Sequence, residues 1–324
     1  MSEFINENDS EEFFFTIGEI KTKQGFATVI KRALEKAFPY THIVVTPRTK
    51  NNGLHLLGLT ICDMEHNMSP TFYLDSFFQD YKHGCSLENI CNHIINLYEE
   101  NKPFDDFPIE VYTDFENVKD RICYKLINFQ ANRVTLESKP FIPYLDLAIV
   151  FYIPVEVNDL SGTIDITNTL MKSWNISSAF GLFEYAHDNT ERIRGLRYGT
   201  MQDLMKSVLP KEIVPDELQA LLDESLPPTY VATTTDKLQG ACCILYENAM
   251  EKFADMIGGS FYILPSSLHE IIMLPSDAET NPILLAQMVR EVNATSIDAN
   301  EVLSDHVYFY DEVRNKLTIC RERE

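Results

Sequence analysis

The chain has 324 residues, which exceeds the usual single domain of roughly 100 to 200 residues and leaves room for two packed units. Hydrophobic residues make up 45% and charged residues 23%, values of a globular protein that exclude wholesale disorder. The formal charge of −22 opposes unaided binding to a phosphate backbone, so direct nucleic-acid binding is not expected.

The first twenty residues carry six carboxylates and no Lys or Arg. They lack the positive start of a secretory signal and read as an acidic, flexible tail. Residues 21–105 read as an N-terminal α+β domain. Phe26, Val29, Ile30, Ala33, Leu34, Ala37 and Phe38 keep helical spacing up to Pro39, predicting a helix over 25–38. Strands follow at 41–46 and 54–61, joined through Asn52-Gly53, whose residues tolerate the positive φ of a hairpin turn. A short strand at 70–74 leads to a helix capped by Asp75 or Ser76 and stopped near Gly84. Ser86 caps a second helix with Leu87, Ile90, Cys91, Ile94, Ile95 and Tyr98 on its apolar face.

NKPFDDFP at 101–108 breaks the pattern, and residues 106–324 read as a C-terminal α/β domain. A helix from Asp114 precedes a strand at 124–129. The apolar run 145–153 predicts a buried central strand, with 162–167 pairing beside it. No run of about 18 apolar residues occurs, because Asp146, Pro154 and Glu156 interrupt even LDLAIVFYIPVEV, and no membrane span is expected. The spacing predicts a helix over 175–192 with Ile176, Ala179, Phe180, Phe183 and Ala186 on one stripe. A surface crossover follows at 210–228, then a strand at 230–234, a long helix over 239–257 ending at Gly258-Gly259, and strands at 261–264 and 270–274. Asn281 with Pro282 opens a last helix, and a hairpin closes the chain at 307–320. The irregular alternation of helices and strands indicates an α+β class with mainly antiparallel sheets, in two packed units.

Seven cysteines without framework spacing fit reduced thiols and a cytoplasmic location. Four groups of residues carry the elements of chemistry. Ser266, Ser267, His269 and Glu270 bring a hydroxyl, an imidazole and a carboxylate into one short connection, the parts of a nucleophilic hydrolase site, to which Asp277 or Asp305 would add. A turn whose serines bond its own backbone is the simpler account. Arg192, Arg194 and Arg197, with His187 nearby, form a basic island able to grip a phosphate or carboxylate; pairing with Asp188 or Glu191 at a helix end competes with that reading.

His83, Cys85, Cys91 and His93 offer zinc-ligand types, but Cys91 and His93 lie about 200° apart around a helix, so no metal is expected. Asp63, Glu65 and His66 read as a polar turn. No nucleotide-binding loop, kinase set or C-x-x-C pair occurs, and no cofactor is expected.

The strings SPTFYLDSFFQDYKHG, VKDRICYKLINFQANR, LDLAIVFYIPVE, LQGACCILYENAMEKFADMIGGSFYILPSSLHEIIMLPSD and MVREVNATSIDANEVLSDHVYFYD resemble the uncharacterised bacterial family of domain of unknown function 5688. A fainter resemblance runs to YtpQ-like proteins, through the order of C-terminal elements and a histidine in the hairpin. Neither resemblance implies an activity, a cofactor or a site residue. The opening helix, three strands and closing helices are similar to type III secretion chaperone-like domains. The expected function is that of a non-catalytic adaptor, regulator or chaperone-like module holding another protein, with an oligomeric state the sequence leaves open. A small-molecule hydrolase at Ser266 to Glu270 and an acidic mimic of nucleic acid are the alternatives.

Overall fold

The computed structural model describes residues 20–63, 66–101, 107–157, 160–203, 228–277 and 280–320. The expected acidic tail and the crossover at 210–228 therefore fall almost wholly outside the described residues. The chain divides into one unit of residues up to Lys50 with Leu54–Ile109, and a second of Asn51–Gly53 with Glu110–Glu324. Among the described residues every strand pair is antiparallel, which makes this an α+β protein.

In the first unit, helix α1 (Lys23–Ala37) starts where the Thr22 hydroxyl accepts the Gly25 N–H, meeting a donor that the first turn leaves without an intrahelical partner. Strands β1 (His42–Thr49), β2 (His55–Cys62) and β3 (Thr71–Tyr73) form a sheet in that order. The turn between β1 and β2 places Asn52 at φ 58 and Gly53 at φ 68, the left-handed conformation their types favour.

Helix α2 (Leu74–Lys82) has its N-cap at Tyr73, two or three residues before the expected caps. Asp75 is occupied elsewhere: its carboxylate accepts the Leu57 N–H and pairs with Lys23. Helix α3 (Leu87–Asn101) follows, with the Ser86 hydroxyl accepting the Asn89 N–H. Phe26, Ile30, Leu34, Ile43, Leu59, Ile61, Leu74, Ile90 and Ile94 meet in a single core, the interdigitation that the helical and alternating spacings require.

The second unit contains two sheets. In the first, the eleven-residue strand β6 (Leu147–Val157) is central, pairing with β4 (Cys123–Asn128), β5 (Phe141–Tyr144) and β7 (Leu160–Asp165). Residues 147–153 are all buried, as an unbroken apolar run requires. Helix α4 (Ala179–Arg194) lies against β4, its Ser178 hydroxyl accepting the Gly181 N–H.

Its buried face differs from the expected stripe. Phe180 is 66% exposed, whereas Leu182, Ala186, Asn189 and Thr190 are buried. Two polar residues face inward because they satisfy backbone: Thr190 Oγ1 accepts the Tyr124 N–H, and Asn189 Nδ2 donates to the carbonyls of Lys119 and Ile122. An apolar count does not register that exchange.

The second sheet runs β13-β12-β10-β11-β9-β8, from β8 (Arg197–Thr200), β9 (Tyr230–Thr233), β10 (Phe261–Leu264), β11 (Glu270–Pro275), β12 (Tyr308–Asp311) and β13 (Lys316–Ile319). The long helix expected over 239–257 is instead two pieces, a 3-10 segment Gly240–Leu245 and helix α5 (Ala249–Ile257), separated by Asn248 at φ 56. Residues 240–244 are wholly buried, so neighbours on every side, not helical propensity, set their path. Helix α6 (Pro282–Thr295) has the expected start, the Asn281 side chain accepting the Ile283 N–H with Pro282 in the first turn.

Candidate functional site

A pocket of about 830 Å³ in the second unit has Asn128, Asp146, Arg290, Asn293, Asp305 and His306 in its wall. Its anchor is Asp146, in the turn between β5 and β6. One carboxylate oxygen, Oδ2, accepts the Ser304 hydroxyl at 2.6 Å and faces His306 Nδ1 at 2.9 Å; the other, Oδ1, accepts the Tyr308 phenol at 2.5 Å. Ser304 in turn accepts the His306 backbone N–H at 3.0 Å. A carboxylate can only accept, so Nδ1 carries a proton, and in the neutral ring the Nε2 lone pair points away from Asp146. The His306 side chain is 55% exposed, leaving that lone pair open to a ligand.

Burial, reinforced by the charge and hydrogen bond of Asp146, pushes the Tyr308 phenol well above its ordinary range, so it stays a donor. Asn293, from α6, is 8% exposed. Its Nδ2 donates to the Ser304 carbonyl and to Asp305 Oδ1. Exchanging the amide's N and O would set oxygen against two acceptors, so the orientation is determined and Oδ1 remains a buried acceptor with no donor.

The Ser266–Glu270 connection is held differently. Ser266 and Ser267 are 8% and 4% exposed. Ser267 Oγ accepts the His269 backbone N–H at 3.0 Å, and the backbone around it bonds to Glu301, Leu303, Ser304, Gly240 and Ala241. His269 Nδ1 accepts the Gln239 N–H at 3.3 Å, while Nε2 faces Glu301 at 3.5 Å. Both imidazole nitrogens are thus directed at groups other than the serines. Glu270 is the first residue of β11, paired with Thr233. Asp277 Oδ1 accepts the Thr280 N–H and hydroxyl, and Asp305 belongs to the pocket.

Of the arginine island, Arg192 donates to the Asp120 carbonyl and Asn189 Oδ1, and Arg194 pairs with Asp236 at 2.9 Å and donates to the Leu238 carbonyl. Arg197 is in β8. Asp188, one of the expected partners, bonds His187 at 2.9 Å. In the first unit Cys91 is buried and His93 exposed, on opposite sides of α3. Among the described residues no group of three or more His, Cys, Asp or Glu could hold a metal ion, and no helix is long and apolar enough to cross a membrane.

Helix α6 presents a second feature beside the pocket residues. Its inner side buries Leu285, Ala286 and Val289, while Ile283, Leu284 and Met288 are 47%, 60% and 52% exposed. A surface helix ordinarily turns its polar side to water.

The pocket residues missed in the sequence left weak signals. Asp146 read only as an interruption in an apolar run, and His306 was not singled out. A charged residue at the mouth of a buried strand is the one local hint that a distant partner must meet it.

No curated protein and no solved structure matched the chain. The model of a family described as "Family of unknown function (DUF5688)" matches residues 23–312, nearly the full length, and the chain belongs to that family.

Proposed function

We propose that this is a non-catalytic binding module of the cytoplasm that holds another protein through the outer face of α6. The observation that carries the reading is a helix apolar on both sides: one side fills the core, and the other leaves Ile283, Leu284 and Met288 in solvent. Leu284 and Met288, four residues apart, are neighbours on that face, the spacing by which a helix is read in a groove. The partner this face fits has an apolar groove with a basic rim, because the chain's charge of −22 favours a cationic surface. Seven free thiols, spaced without a disulfide framework, support the location. The serine-hydrolase alternative draws no support from a hydroxyl that accepts from its own turn's backbone.

The test is a photo-crosslinking residue at position 288 of the full chain, expressed in its native host. We expect one discrete crosslinked protein, lost when Leu284→Glu is added in the same chain and absent when the crosslinker replaces Val313, which is 92% exposed on a hairpin turn. Equal crosslinking from positions 288 and 313, or crosslinking indifferent to Leu284→Glu, overturns the reading.

A further inference from the structure

We propose that the Asp146–His306 pocket is a binding site for a small molecule bearing a primary ammonium group. What the pocket offers such a ligand is acceptors. With its proton on Nδ1, His306 exposes a lone pair at Nε2, and Asp146, already holding three side-chain donors, acts as the positioning residue that fixes this tautomer. Asp305 is exposed at the same wall and uses Oδ1 to take one proton of the Asn293 amide. Behind it, Asn293 Oδ1 is buried without a donor.

Charge points the same way. The titratable wall residues are Asp146, Asp305, Arg290 and His306, so with a neutral imidazole the carboxylates outnumber the guanidinium by one, within a chain of charge −22. A cation is favoured there over an anion. The volume of about 830 Å³ falls within the range of small-molecule sites. An ammonium supplies three donors, enough to bridge His306 Nε2 and the Asp305 carboxylate together.

The probes are ethanolamine, ethylene glycol and glycolate, which share a hydroxymethyl group and differ in carrying a cation, no charge or an anion. Each is titrated at constant ionic strength into the ¹⁵N-labelled full chain. The expected result is saturable shifts for ethanolamine alone, confined to residues around Asn293, Asp305 and His306. Asp305→Asn weakens binding about tenfold, the scale of one charge-assisted hydrogen bond, and His306→Ala weakens it as well. Asp305 is exposed, and an otherwise unchanged spectrum verifies that its variant folds. Saturation by glycolate or ethylene glycol at the same resonances overturns the proposal. So do ethanolamine shifts that spread over the acidic surface without saturating, or variants that bind as the parent does. Leu284→Glu leaves ethanolamine binding unchanged, which separates this site from the α6 face.

Discussion

Tyr308 donates its phenolic proton to Asp146 across 162 residues of sequence, at 2.5 Å. The bond ties the last hairpin to the turn that opens the central strand β6, with Tyr308 fully buried and Asp146 half-buried. A hydrogen bond to a charged acceptor contributes roughly 1.5–3 kcal/mol, against about 1 kcal/mol for a neutral pair. Tyr310 supplies the comparison, since its phenol donates to the uncharged Asn315 side chain at 2.9 Å. Tyr308→Phe is therefore expected to lower the stability of the second unit by about 2 kcal/mol, and Tyr310→Phe by about half of that. Urea denaturation followed by probes in the second unit measures both, and equal losses would show that Asp146 adds nothing as a charge.

Asp165 makes a prediction about acid. Burial pushes its carboxyl up, but the charges and hydrogen bonds of Lys125 at 2.8 Å and Lys139 at 2.6 Å outweigh burial and hold it below its ordinary value. A carboxyl depressed in the folded state adds stability that is present above its unfolded pKa and is lost as pH falls through the folded value. Asp165→Asn should thus destabilise the protein near neutrality and cease to matter in strong acid, once the native carboxyl is itself protonated. Because Asp165 is 36% exposed, solvent screening limits the effect at pH 7 to about 1 kcal/mol. The check is a pair of stability–pH curves; curves that stay parallel into strong acid would refute the linkage.

Much of the fold was legible because local chemistry and tertiary packing agree: the apolar stripe of α3, the Asn281-Pro282 start of α6 and the unbroken run in β6 all appear as their spacing dictates. The candidate site was hidden for the opposite reason. Asp146, Asn293 and His306 reach one pocket from the turn between β5 and β6, from helix α6 and from the loop before β12, and periodicity within a window carries no record of such pairing. The Ser266–Glu270 string was conspicuous in sequence because its residues are adjacent, yet adjacency is what lets Ser267 bond the His269 backbone. At 239–257 the apolar composition allowed a helix, and the surroundings imposed a break.

Gly240 shows how strict that imposition is. A Cβ at this position would fall against Thr233 Oγ1, the His269 carbonyl and the Thr234 nitrogen, two of them backbone that cannot step aside. Gly240→Ala is expected to cost about 3 kcal/mol or more, at the upper end of overpacking in a filled core. Gly258→Ala is the contrasting variant: its Cβ would meet nothing, but φ is 93°, so only the left-handed strain of about 1 kcal/mol applies. Thermal unfolding of the two variants ranks them. A milder effect at 240 than at 258 would mean that the 3-10 segment repacks freely.

The cysteines are expected to divide by environment. Cys91, Cys123, Cys242 and Cys243 are buried, whereas Cys62, Cys85 and Cys320 are partly accessible. Burial pushes the Cys91 and Cys242 thiols up to about 12 and that of Cys123 to about 11, and raises Cys243 as well. The attacking species is the thiolate, so these four are protected twice, by access and by protonation. Cys320, partly accessible but raised by burial to about 11, falls between. A thiol-disulfide reagent at pH 8 should label Cys62 and Cys85 first, Cys320 more slowly, and the remaining four only on unfolding. Mass-spectrometric mapping of the labelled positions against time makes the comparison direct. Early labelling of Cys242 or Cys243 would require the segment 240–245 to open from the native state, so that Gly240 is not held as closely as its neighbours indicate.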